Sequence, residues 1–258
     1  MTLRVLMIGD IVGKLGRRTV AALLPDLKRD RRIDLVIANG ENTAGGRGLT
    51  TKTAAELYET GIEIITSGNH IWENREIYPA LDSDPRIVRP LNYPEGAPGH
   101  GIYRKNGLAV INVMGRTFMG AALDCPFRAM DAALAALSDC KVILVDVHAE
   151  ATSEKVAMGF YLDGRVSAVV GTHTHVPTSD TRVLSGGTAY VTDLGMVGAL
   201  HSVLGMQVEP VIERFLTQLP NRFDPEEKGP AEFNSVLIEI DESGGRATSI
   251  ERLDREIA

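Results

Sequence analysis

Short apolar runs that each stop at a polar, metal-capable side chain recur along this chain, and they constrain its fold more than any other feature. Residues 3–8 stop at Gly9-Asp10, residues 33–38 at Asn39-Gly40-Glu41-Asn42, and residues 62–66 at Ser67-Gly68-Asn69-His70. Residues 141–147 stop at His148, and residues 166–170 break at Gly171 before Thr172-His173-Thr174-His175. Such runs are too short for typical helices and apolar on both alternating sides, so they read as strands buried on two faces. Between them lie segments with helical spacing: 13–31, 51–59, 72–81, 126–137 and 153–162. Strand and helix in alternation predict an α/β chain with parallel pairing, whose ligands bind at the carboxyl ends of the strands.

Three glycine-turn signals modify that picture. Asn106-Gly107 links residues 102–104 to 108–113, Ser185-Gly186-Gly187 links 181–184 to 188–192, and Ser243-Gly244-Gly245 links 233–240 to 247–253. Three hairpins are inconsistent with an eightfold alternating barrel and favour mixed sheets flanked by helices, α/β by one definition and α+β by another. Pro25 is expected to bend helix 13–31, residues 85–98 to be irregular, and residues 210–219 to form an amphipathic helix. No repeat, low-complexity tract or linker divides the chain, so residues 1–258 read as one domain.

A net charge of -7 argues against a broad phosphate-binding surface, and stable nucleic-acid binding is not expected. Cys125 and Cys140 match neither a zinc ribbon nor a disulfide framework, which suits a reducing compartment. The apolar start of the chain is too short for a signal peptide, and no stretch is long enough to cross a bilayer. The expected location is the cytoplasm, without a membrane partner. Oligomeric state stays open, a homo-oligomer included.

Each polar residue at a strand end has an ordinary structural reading. Asp10 can cap the next helix, Asn42 and Asn69 can be turn residues, Glu41 can be solvated, and His148 can be a satisfied core histidine. Recurrence at successive strand ends, with four of the six histidines involved, points instead to one convergent site. In an extended backbone His173 and His175 face the same side, a ligand geometry. Gly9-Asp10-Ile11-Val12-Gly13-Lys14 lacks the spacing and the hydroxyl residue of a phosphate loop. His100 and His201 lie in loop-like contexts and are assigned no role.

Asp10, Glu41, Gly68-Asn69-His70, His148 and Gly171-Thr172-His173-Thr174-His175, in that order, resemble the five motifs of calcineurin-like metallophosphoesterases. Gly-Asp-Ile-Val-Gly, Asn-Gly-Glu-Asn-Thr-Ala-Gly-Gly and Thr-Asp-Leu-Gly-Met further resemble the YmdB-type branch, whose members are 2′,3′-cyclic nucleotide phosphodiesterases. Two positions depart from the wider superfamily: Val12 stands where a ligand histidine is usual, and Glu41 where a bridging aspartate is usual. The branch shares both features, with Asn42 supplying the missing donor.

The resemblance implies a four-layer αββα sandwich of metallophosphoesterase type. It also implies two divalent transition-metal ions, iron or manganese, with zinc or cobalt as alternatives suited to the mixed donors. Glu41 then bridges them, Asp10, Asn42 and His175 complete one site, and Asn69, His148 and His173 the other. A metal-bridging hydroxide attacks a small phosphodiester in line, with His70 as general acid; an orienting role for His70 is the alternative. Four metal charges against two carboxylates leave a surplus of about two for the anionic substrate. Arg47, in the glycine-rich loop, is read as solvated, with substrate phosphate contact as its alternative. Two other functions are weighed: a metal amidohydrolase, whose His-x-His lies early in a barrel, and a catalytically weak metal-binding regulatory protein.

Overall fold

The computed structural model describes residues 1–258 and builds them into three sheets and six α-helices. The first sheet orders as Arg246–Arg252, Ser235–Asp241, Thr2–Ile8, Leu35–Asn39, Ile64–Thr66 and Ile87–Val88. Its last four strands are parallel, and the hairpin closes antiparallel on Thr2–Ile8. The second sheet orders as Arg182–Val183, Ala189–Val191, Ala168–Thr172, Val142–His148, Leu108–Met114 and Ile102–Lys105, parallel except at its two outer hairpin pairings.

Side-chain alternation makes these sheets two-faced. Met7, Ile37 and Ile64 of the first meet Val110, Leu144 and Val170 of the second in one buried cluster. Their neighbours point outward: Leu6, Val36 and Ile65 pack under helices Gly13–Asp30 and Thr51–Glu59, and Val145, Val147 and Val169 under Pro126–Ala136 and Thr152–Leu162. The four-layer αββα sandwich follows, and each fully buried aliphatic side chain contributes about 1.5–3 kcal/mol relative to exposure.

Four expectations are corrected. A third sheet, of Arg255–Ile257, Ala231–Phe233, Met196–Ala199 and Asp10–Ile11, was not foreseen. Phe233 therefore lies in that sheet, and the chain enters the first sheet only after Asn234, whose carbonyl accepts the Gly9 amide at 3.0 Å. The single helix over 72–81 is two 3-10 turns, Asn69–Trp72 and Arg75–Ile77, then helix Tyr78–Ser83. Extended Asn74 (φ -110°, ψ 105°) breaks it, and Pro79 starts the new first turn, where its missing N–H costs nothing. The Ala168–Thr172 strand continues through Gly171 rather than breaking there.

Candidate metal centre

His148 is the last residue of its strand, Asn69 and His70 open the turn after Ile64–Thr66, and Glu41 and Asn42 follow Leu35–Asn39. All project from the carboxyl ends of parallel strands, His148 from the second sheet and the others from the first. Asn39 locks two of these loops together: its Oδ1 accepts the Glu41 amide at 3.1 Å, and its Nδ2 donates to Ser67 O at 3.2 Å. Gly68 is required by closeness, since a Cβ there would stand 2.1 Å from the His148 ring.

One group of ligand atoms crowds around His148. Its Nε2 lies 3.0 Å from Asn69 Oδ1, 3.0 Å from His173 Nδ1 and 3.0 Å from Glu41 Oε1. A single N–H can point at only one of these, whereas a cation at their centre would satisfy all. Ligand atoms of Glu41, His148 and His173 lie within 4.8 Å of one another. On the far side of the ring, His148 Nδ1 is 2.9 Å from Thr172 Oγ1, which donates to Asp146 Oδ1 at 2.7 Å. That chain fixes the ring and turns Nε2 inward, as partners behind a ligand histidine do.

Asp10 and His175 form the adjoining group, with His175 Nε2 3.7 Å from Asp10 Oδ1 and 3.1 Å from Asn42 Nδ2. Asn42 turns its Oδ1 to His70 Nδ1, at 2.9 Å, so the ligation implied for it needs the amide reversed. Asp10 Oδ1 and Glu41 Oε1 are buried without a hydrogen-bond partner, facing only imidazole nitrogens. Two orphaned carboxylate oxygens among imidazole and amide donors fit divalent cations well.

His173 and His175 do not share one face of an extended strand. The strand ends at Thr172, and both histidines adopt left-handed backbone (φ 96° and 62°), which splays their rings toward His148 and toward Asp10. Such backbone costs of order 1–3 kcal/mol per residue and needs outside support. Asp193 supplies it: Oδ2 accepts the Thr174 amide at 3.2 Å and the Thr174 hydroxyl at 2.7 Å, while buried Lys155 donates to the same oxygen at 2.6 Å. The His173 amide donates to Asp10 Oδ2 at 3.0 Å, and Leu204 O lies 3.0 Å from His175 Nδ1.

Charges in the cluster are interdependent. Burial disfavours a charged His148, but Glu41, Asp10 and Asp146 outweigh it and push the imidazole up to about 9. Burial, then the neighbouring His148 charge, pushes His173 down to about 3. Burial would raise Glu41, yet His148 and His70 hold it well below the usual carboxylate range. Burial raises Asp10 despite His175, and lifts Asp146 to about 6 despite its threonine donors.

Beside the cluster opens a cavity of about 540 Å³, reached by Glu41, Asn42, His70, His173 and His175 and by Arg47. Asn39, Asp146, Glu150, Lys155 and Asp193 all belong to the site or its support, Glu150 through an Oε2 that lies 3.3 Å from His173 Nε2, and received no role from the sequence. Lys155 carried a signal: it shares the buried face of helix Thr152–Leu162 with Met158, Gly159 and Leu162, an unusual place for an ammonium.

A family model described as YmdB-like protein matches residues 6–253. The chain is 49% identical to a 2′,3′-cyclic-nucleotide 2′-phosphodiesterase of Bacillus subtilis, over 97% of this chain and 96% of that protein. A hypothetical protein from Thermus thermophilus superposes with a TM-score of 0.92 at 47% identity, covering 99% of this chain and 100% of the other. A novel phosphatase from Mycoplasma pneumoniae does so with a TM-score of 0.93 at 33% identity, covering 99% and 94%. Family model, sequence identity and superposition each span nearly the whole chain, and the chain belongs to the YmdB-like family.

Proposed function

We propose that this chain is a metal-dependent phosphodiesterase for small phosphodiesters, with 2′,3′-cyclic nucleotides as its substrates. The observation that carries this reading is the convergence of Glu41, His148 and His173 within 4.8 Å, beside two orphaned carboxylate oxygens and an open cavity. The substrate class rests on the Bacillus subtilis relative. Residues 1–258 act as one domain in this reading.

Asn69, His148 and His173 would hold one divalent ion and Asp10, Asn42 and His175 a second, with Glu41 contributing its carboxylate. Iron or manganese suits this donor set, with zinc or cobalt as alternatives. When bound, the ions supply Lewis-acid charge to phosphoryl oxygens and make water a competent nucleophile near neutral pH.

The chain's own residues orient the substrate and handle its proton. His70 Nδ1 lies 2.9 Å from the Asn42 side-chain amide and 3.4 Å from Glu41 Oε1; with that amide reversed for ligation, its Nδ2 would donate to Nδ1, fix the ring and leave the imidazole proton on Nε2. As a water oxygen bonds to phosphorus and gives up a proton to solvent, the P–O2′ bond breaks and the proton on His70 Nε2 passes to the leaving oxygen, giving a 3′-monophosphate; His70 then regains a proton from solvent. Arg47, on the cavity wall, steadies the substrate's phosphate.

The test is turnover of 2′,3′-cyclic AMP by chelator-stripped protein reloaded with manganese or ferrous iron. Glu41→Ala is expected to lose bound metal and at least about 100-fold in rate; His70→Ala should keep its metal and lose about 10²–10⁴-fold. Full metal content and full rate in Glu41→Ala would sink the proposal.

A further inference from the structure

The cavity has two unlike walls. One is the polar edge of the metal centre; the other is mainly apolar and comes from residues 203–223, with Val203, Leu204, Met206, Val211, Phe215 and Phe223 beside one charged side chain, Arg214. The two meet at one contact, where Leu204 O lies 3.0 Å from His175 Nδ1. An apolar wall does nothing for a phosphate, yet it stands within one hydrogen bond of a histidine of the metal centre.

Phe215 makes this wall costly unless something covers it. It projects from helix Val208–Thr217 at 73% exposure, although Val211 on the same helix is buried. Phe223 borders the same cavity half-buried. Aromatic faces beside a phosphoryl site suit a flat, apolar body joined to the phosphate by a short linker, and a nucleobase on its ribose has that form. The cavity, at about 540 Å³, is large enough for a mononucleotide.

We propose that Phe215 and Phe223 form the nucleobase-binding wall of this site and set its preference for nucleotides over base-free cyclic phosphates. The inference rests on the phosphodiesterase reading above and adds the part of the substrate away from phosphorus. The six apolar wall residues offer no side-chain donor or acceptor that matches a base edge. Arg214, whose guanidinium donates to Gln218 O at 3.3 Å, is the one charged side chain of that wall, so recognition is mainly by stacking, and purines, with the larger surface, gain more than pyrimidines.

The experiment compares kcat/KM for 2′,3′-cyclic AMP with that for ribose 2′,3′-cyclic phosphate, which lacks the base, using metal-loaded enzyme. Wild type should favour the nucleotide, and the ratio should fall about tenfold in Phe215→Ala, with a like fall in Phe223→Ala. Phe160→Ala, at 61% exposure and outside the cavity, serves as control and should retain the ratio. Phe215 is exposed, so its truncation tests the wall even if Phe223→Ala fails to fold. Wild type that turns over both substrates equally, or a Phe215→Ala ratio that does not move, overturns the wall and leaves the diesterase reading intact. A Phe215→Ala variant with an unmoved ratio and a smaller mass by sedimentation assigns the face to a second copy of the chain, which also overturns it. Wild type that turns over neither substrate sinks both proposals.

Discussion

Thr174 is the residue on which the proposed metal centre pivots. It ligates nothing, but it separates His173 from His175, and its amide and hydroxyl both bind Asp193 Oδ2. Asp193 in turn pairs with Lys155, both side chains at most 2% exposed, and accepts the Gly195 amide at 2.8 Å through Oδ1. A buried pair of this kind is fragile to one-sided change, because removing one charge strands the other. Asp193→Asn keeps acceptors for Thr174 and strands the lysine, so it should cost about 3–5 kcal/mol of stability by urea unfolding. Adding Lys155→Met removes the stranded charge and should recover most of that loss. A double variant no more stable than Asp193→Asn alone would show that the ion pair does not support the histidine turn.

At the scale of elements, the site depends on how closely the loop after Ile64–Thr66 approaches the end of strand Val142–His148. Gly68→Ala puts a methyl group 2.1 Å from His148 Cδ2, where a real Cβ cannot stand, so either the ring or the loop must move. The expected outcome is a variant that folds with a near-native circular dichroism spectrum but binds metal at least about tenfold more weakly; wild-type affinity would refute the argument. The same elements show what the sequence made legible. The long parallel strands and the Asn106-Gly107 hairpin declared themselves through uninterrupted apolar runs and turn chemistry. The third sheet did not, because Asp10–Ile11, Ala231–Phe233 and Met196–Ala199 have two to four residues each, too few for any period to register. Gly171 read as a break because only the structure shows Thr192 O so near that a Cβ would lie 1.8 Å from it. Site residues at strand ends were legible for a related reason: the topology of parallel strands gathers them. Asn39, Asp146 and Asp193 were not: Asn39 and Asp193 stand inside quoted motifs, yet all three act through hydrogen bonds to other residues of the site, which sequence position alone does not reveal.

Across the whole molecule, a chain of net charge -7 concentrates its buried titratable groups in one place, and that couples folding, protons and metal. His148 is the group that matters near neutral pH. Its folded-state pKa is raised to about 9 from an unperturbed value near 6.5. Protonation of His148 therefore stabilises the metal-free fold fully below about pH 6.5, and that contribution is lost as pH rises to about 9. The ligation proposed for His148 needs the neutral imidazole, so ions would compete with this proton and affinity should rise with pH, by up to about tenfold per unit, until about pH 9. The two effects add: from pH 6.5 to 9 the chelator-stripped protein should lose thermal stability while the gain on reloading with manganese grows. Melting curves at half-unit intervals, with chelator and with excess metal, test this directly. Calorimetric titration at pH 7.5 in buffers of different ionisation enthalpy should show about one proton released from His148 for each protein loaded, falling toward none above pH 9. A reloading gain that is flat across this range, with no buffer dependence at pH 7.5, would mean that His148 is already neutral in the metal-free fold and that Glu41 does not hold its proton there.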